Sequence, residues 1–250
     1  MRKVGTAIML SATVMAMTAF TVSGQSNPYT VQWVGAQRDL MHGDLSSHIA
    51  LDALKGRRHL YALGPLELLR GEITIWDGEP SIARIQNGQI VIDRTLGHRA
   101  AFLVWTEVDR WRPVPLPALA GIAGLERFIV SAATAAHVDV TQPFPFLISG
   151  QTTHLNFHVL DKRDGLPHTP ERHERAKVKF TLDNARVEIV GFYSDRHQGI
   201  FIPRGRVVHM HLRTHDQRLS GHVDEIRIVG DALLHLPGRR RAATDPSESR

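Results

Sequence analysis

Residues 206–213, RVVHMHLR, constrain this chain more than any other stretch, because apolar and polar side chains alternate there with the period of a strand. Side chains on a strand point to opposite faces in turn. Val208, Met210 and Leu212 therefore share one face and enter a core, while His209 and His211 share the other. The polar residues 214–221 (THDQRLSG) read as a turn into a second strand that opens with His222. Antiparallel pairing brings His222 beside the first two. Three neutral imidazoles, with a fourth position left for water or substrate, make a ligand set of the catalytic zinc type. The competing reading is two histidines on a solvated face and a third by coincidence, in a chain holding 15 His.

The chain is 250 residues long, enough for one large domain or two small ones with a substantial core. Met1-Arg2-Lys3 is a short basic head, followed by an apolar run over 4–22 and the small residues Ser23 and Gly24. That pattern predicts a signal peptide over 1–24 and an exported protein, periplasmic or secreted. An uncleaved anchor is the other reading, but the many Ala, Ser and Thr residues make a weak membrane span. With no cysteine, an exported protein must be stabilised by its core and any bound metal. The formal charge of +5 loses Arg2 and Lys3 with the leader, and four Arg against Asp245 and Glu248 leave with a tail over 237–250 that is expected to be disordered. The body is then close to neutral, so neither nucleic acid nor, once the leader is removed, a membrane is expected as a partner.

Residues 31–42 have helical character up to Gly43. Short strands follow at 59–63, 72–76, 80–85 and 89–93, with Asp77-Gly78 and Asn87-Gly88 as hairpin turns. A buried strand is expected at 101–108 and the best helix at 118–137, after a proline-rich stretch at 112–117. Further strands are expected at 144–148, 154–160, 177–182 and 186–193. This is a β-rich α+β chain without an internal repeat or a phosphate-binding glycine loop. The expected division is a mixed sheet and helix domain over 29–150 and a β domain carrying the metal site over 151–236.

In RGEITIWDG, Ile73 and Ile75 claim one strand face and Glu72, Thr74 and Trp76 the other, which looks onto solvent or a cleft. Arg163 follows a strand, and by itself reads as a solvated charge. His154, His158 and His197 are candidate partners of the metal ligands, and Asp224, by alternation, shares the face of His222 and could orient a ligand. Glu225, Asp39 and His42 have no distinguishing context.

Four motifs in order then carry a likeness: LYALGPLELLRGEITIWDG, the stretch from Phe157 to Arg163, VGFYS followed by GIFIPRG, and HMH with ten residues between His211 and His222. In this the chain resembles the α-acetolactate decarboxylases, over residues 32–237. The resemblance implies a mixed β-sheet whose long strands continue into a small barrel-like β domain. It places His209, His211 and His222 on the zinc ligands, Glu72 on the catalytic glutamate and Arg163 on the active-site arginine. It also implies decarboxylation of 2-hydroxy-2-methyl-3-oxobutanoate (acetolactate) to acetoin, with Zn2+ as the sole cofactor and a small 2-hydroxy-3-oxo acid as the partner molecule. The state of assembly is left open, a homodimer included. The family has a proline-containing stretch where this chain reads DGLPHTPERHER, and a second acid near its C-terminus for which Asp224, Glu225 and Glu248 are the candidates here. Two other classes fit part of the pattern. One is an exported zinc-binding protein without decarboxylase activity. The other is a cupin-like metalloenzyme, although the Glu such a protein adds shortly after its second histidine is absent from residues 213–216.

Overall fold

The computed structural model describes residues 29–238. It opens with β1 (Gln32–Val34), the short helix α1 (Gln37–Met41) and β2 (Ile49–Ala50). Next come β3 (Leu60–Pro65), β4 (Glu72–Trp76), β5 (Glu79–Gln86), β6 (Gln89–Asp93), β7 (Arg99–Ala100) and β8 (Leu103–Glu107). β9 (Trp111–Leu116) and β10 (Leu119–Ala120) lead into α2 (Ile122–Ala135). The rest is β11 (Phe144–Leu160), α3 (Pro170–Ala176), β12 (Lys177–Tyr193), β13 (Val208–Thr214), β14 (Ser220–Ile228) and β15 (Ala232–Pro237).

Local turn chemistry builds the first sheet. Asp77 and Gly78 (φ 49° and 83°), like Asn87 and Gly88 (52° and 75°), take the doubly positive geometry that matches strand twist. They fold β4, β5 and β6 into a meander within a six-stranded sheet of order β1-β8-β3-β4-β5-β6. β4 keeps the two faces read from sequence. Ile73 and Ile75 enter a core with Ile82, Leu103 and Trp105, whereas Glu72, Thr74 and Trp76 look towards the second sheet.

That second sheet has seven strands, ordered β10-β14-β13-β12-β11-β15-β9, with β14 paired to β11 as well. β11 pairs with β12 along its whole length. Its other edge is shared between β15, at Leu147–Ser149, and β14, at Thr152–His158. β11, β12, β13 and β14 thus form a partly closed ring rather than a true barrel. The β-rich α+β class is as expected. Within it, every pairing between these strands is antiparallel, both in the hairpins β4-β5-β6 and between strands distant in sequence such as β9 and β15.

Several local expectations change. Residues 31–42 are helical only over α1. Gly35, at φ 67° and tight against the Ala101 carbonyl, frees the residues before it to pair as β1 with β8. The two strand pairs expected at 144–160 and 177–193 are single 17-residue strands. Asn184, at φ 52°, is accommodated inside β12 instead of ending it. Position 150/151, the expected domain boundary, lies inside β11, and one apolar core joins Tyr61, Leu63 and Val104 of the first sheet to Phe146, Phe192 and Met210 of the second. Pro237, expected in the tail, closes β15 opposite Trp111. The expected leader at 1–24, and the tail beyond 238, lie outside the described residues.

Candidate metal centre

The ring positions the histidines through cross-strand register. His211 on β13 is directly opposite His222 on β14, and His222 is in turn opposite His158 on β11. Gly221 makes this possible, since a Cβ there would lie 2.5 Å from the His158 carbonyl oxygen. The ring centroids of His209, His211 and His222 are 4.9 to 5.3 Å apart, and their ligand atoms lie within 4.8 Å of one another. The core-facing residues Val208, Met210 and Leu212 are buried, as the alternation requires.

Backbone carbonyls fix the tautomers. His209 Nδ1–H donates to the Phe201 carbonyl at 2.7 Å, and His211 Nδ1–H to the Ile73 carbonyl at 2.8 Å. A carbonyl can only accept, so both rings carry their lone pair on Nε2. His209 Nε2 is 3.1 Å from His222 Nδ1, close to the roughly 3.3 Å between two nitrogens of a tetrahedral zinc site. His211 Nε2 is buried without a hydrogen-bond partner, a loss of about 1–3 kcal/mol that a cation would offset. The residues present therefore fit a metal ion.

Burial holds His209 down to about 4, and His211 and His222 well below the ordinary imidazole range, with repulsion from neighbouring histidines adding to the effect. All three are neutral and competent as ligands near pH 7. The sign for stability follows. Between the ordinary value of 6.5 and about 4 the unfolded chain binds more protons at these histidines than the folded one, so stability falls as pH drops through that window. Glu72, held high when folded, acts in the opposite sense but is one group against three. We expect the melting temperature of chelator-treated protein to fall from pH 6.5 to pH 4, and a flat or rising profile in a thermal scan would contradict the assignment.

Glu72 enters the same place from β4. Its side chain is 2% exposed and its Oε2 is 3.7 Å from His211 Nε2. Burial holds its carboxyl well above the ordinary range, a backbone hydrogen bond from Leu160 offsets part of this, and the negative charge of Asp224 adds to it. His158 Nδ1–H donates to both Asp224 oxygens at 2.9 and 2.8 Å, and its ring lies 4.7 Å from that of His222. Glu72, His158, His209 and His222 line a cavity of about 500 Å³.

Arg163 does not line this cavity. Its side chain is 57% exposed, with Nε donating to both oxygens of Asp161 at 2.8 Å and the guanidinium also bonding the Ile85 carbonyl. β11 ends at Leu160, three residues before Arg163. The cavity's cations are Arg38, Lys177 and Arg204, none of which stands out in the sequence. Among the other candidates, His42 also lines the cavity. His154 pairs with Asp183 on the surface, His197 bonds Ser194, Glu225 bonds Asn156, and Asp39 pairs with its neighbour Arg38.

Fold and site together define an antiparallel β protein with a three-histidine cluster, able to hold a metal ion, beside a buried carboxyl. The family model for alpha-acetolactate decarboxylase matches residues 33–236, and the chain belongs to that family. Solved structures agree in fold. The alpha-acetolactate decarboxylase of Bacillus subtilis strain 168 is 18% identical, covering 84% of this chain and 86% of its own, with a TM-score of 0.67. The acetolactate decarboxylase of Bacillus subtilis subspecies spizizenii is 17% identical over 84% and 86%, with a TM-score of 0.66. A Staphylococcus aureus protein of unknown function, similar to alpha-acetolactate decarboxylase, is 15% identical over 82% and 84%, with a TM-score of 0.65. No curated protein matches the sequence.

Proposed function

We propose that this protein is a zinc-dependent carboxy-lyase that converts acetolactate to acetoin and CO2. The observation that carries the reading is the meeting of Glu72 from the first sheet with His209, His211 and His222 from the second, at 3.7 Å between Glu72 and His211. Family membership supports the same chemistry. His209, His211 and His222 would hold the zinc, which supplies Lewis acidity towards the vicinal oxygens of the substrate. Glu72 acts on the substrate hydroxyl. Burial raises the carboxyl and favours its protonated form, so Glu72 removes the hydroxyl proton, holds it and restores it after CO2 has left. Decarboxylation passes the electron pair of the broken C–C bond towards the neighbouring carbonyl, and the carbon that lost CO2 takes up one proton from solvent, which reaches the site through the open side of the cavity. His158, held by Asp224 at the cavity wall, orients the substrate for that step.

The test is direct. Purified zinc-loaded protein given acetolactate is expected to form acetoin faster than the spontaneous rate. No excess acetoin would end the decarboxylase reading and leave a metal-binding protein.

We also propose export, from the basic head and apolar run at the N-terminus. N-terminal sequencing is expected to find a mature chain beginning near Gln25, and an intact Met1 on cytoplasmic protein would refute it.

A further inference from the structure

We propose that Lys177 is the carboxylate-binding residue of the cavity, so that the site takes its 2-hydroxy acid as an anion gripped by this ammonium at one end. The identity of the acid rests on the decarboxylase reading. The anion grip does not.

An anionic substrate is gripped best by a cation that is itself shielded from water, because a solvated charge is screened and binds weakly. Arg163 lies outside the cavity. Of the three cations on its wall, Arg38 has a side chain 58% exposed and paired with Asp39, and Arg204 is exposed. Lys177 is different, with a side chain 17% exposed. It is the first residue of β12 and sits opposite Leu160 of β11, the residue whose backbone bonds the Glu72 carboxyl. That register anchors the ammonium beside the proposed acid–base group. The charge of Lys177 is felt by Glu72, His158, His173 and His222 alike, which places it centrally among the cavity's titratable groups.

α3 supplies the rest of this wall. Thr169 caps it, accepting a hydrogen bond from the Arg172 backbone amide, and Pro170 opens it. The helix then presents Glu174, whose carboxylate pairs with Lys177 and keeps the ammonium over the cavity. Glu174 is itself 59% exposed, so it can turn to solvent when a substrate carboxylate takes its place. His173, one residue earlier, is held neutral by burial, with a pKa of about 3, and its Nδ1 is without a hydrogen-bond partner. It therefore adds polarity to the wall without competing for the anion. The segment DGLPHTPERHER, residues 164–175, thus ends two residues before the cavity's shielded cation.

The experiment compares two unreactive probes by calorimetry on zinc-loaded full-length protein. One is 2,3-dihydroxy-2-methylbutanoate, which keeps the carboxylate and the vicinal oxygens. The other is butane-2,3-diol, which keeps only the oxygens. Wild-type protein is expected to bind the acid at least about tenfold more tightly than the diol. Lys177→Met should lose at least about tenfold for the acid, with diol affinity and zinc content unchanged, and Lys177→Arg should retain most of the acid's affinity. The proposal is overturned if wild type does not prefer the acid, if Lys177→Met binds it as wild type does, or if both probes weaken equally. Lys177-dependent binding without acetoin formation would defeat the decarboxylase reading alone. Acetoin formation with unchanged acid binding by Lys177→Met would defeat this proposal alone.

Discussion

Alanine at His211 is expected to lower zinc affinity by about 10²-fold or more, because two imidazoles hold zinc far less tightly than three. The effect should exceed that of changing any residue that merely orients a ligand, for which about 10–100-fold is usual. His209→Ala and His222→Ala should behave alike. Elemental analysis after dialysis against buffered zinc reads the outcome, with circular dichroism to establish that the variant is folded. Full occupancy in folded His211→Ala protein would remove His211 from the ligand set and, with it, the meaning given to its unpartnered Nε2.

Glu72→Gln is expected to keep its zinc and lose about 10²–10⁴-fold in turnover, the range typical of a general acid–base group. The substitution preserves shape in a position where the side chain is 2% exposed, so packing is little disturbed. Only the ability to take and return a proton is removed. Metal content and kcat for acetoin formation, measured on the same sample, separate the two roles. If turnover survives, Glu72 supports the site by packing and another group handles the hydroxyl proton.

What the sequence made legible was what local rules determine. The alternation in RVVHMHLR put His209 and His211 on one face, and the spacing to His222 required only a hairpin. The same rule gave the two faces of β4, and the Asp77-Gly78 and Asn87-Gly88 turns took the geometry their residues favour. Glu72 came from family likeness, since nothing local distinguishes it from an exposed strand glutamate. What stayed hidden depends on register between distant segments. His158 meets His222 because β11 pairs with β14 past two irregularities, and neither shift is written in the spacing of either strand. Arg163 matched a motif by order along the chain, yet the strand before it ends too soon to carry it into the cavity. Lys177 carries no local mark in the sequence. Its place is fixed by pairing with Leu160 across the intervening residues of α3, which held no helical signal long enough to read.

The hydrogen bond from His211 to the Ile73 carbonyl joins residues 138 positions apart, and Ile73 is the immediate neighbour of Glu72. One short piece of backbone in the first sheet therefore steers a proposed metal ligand with its carbonyl and carries the proposed acid–base group on the preceding residue. Neither sheet holds all four residues of the proposed site alone. A metal ion bound here would latch the sheets together, so its uptake should wait for them to dock and its escape should require them to part. Packing changes at Ile82 or Leu103, deep in the other face of the first sheet, would then be felt as looser metal binding and slower chemistry together, though neither residue touches the cavity.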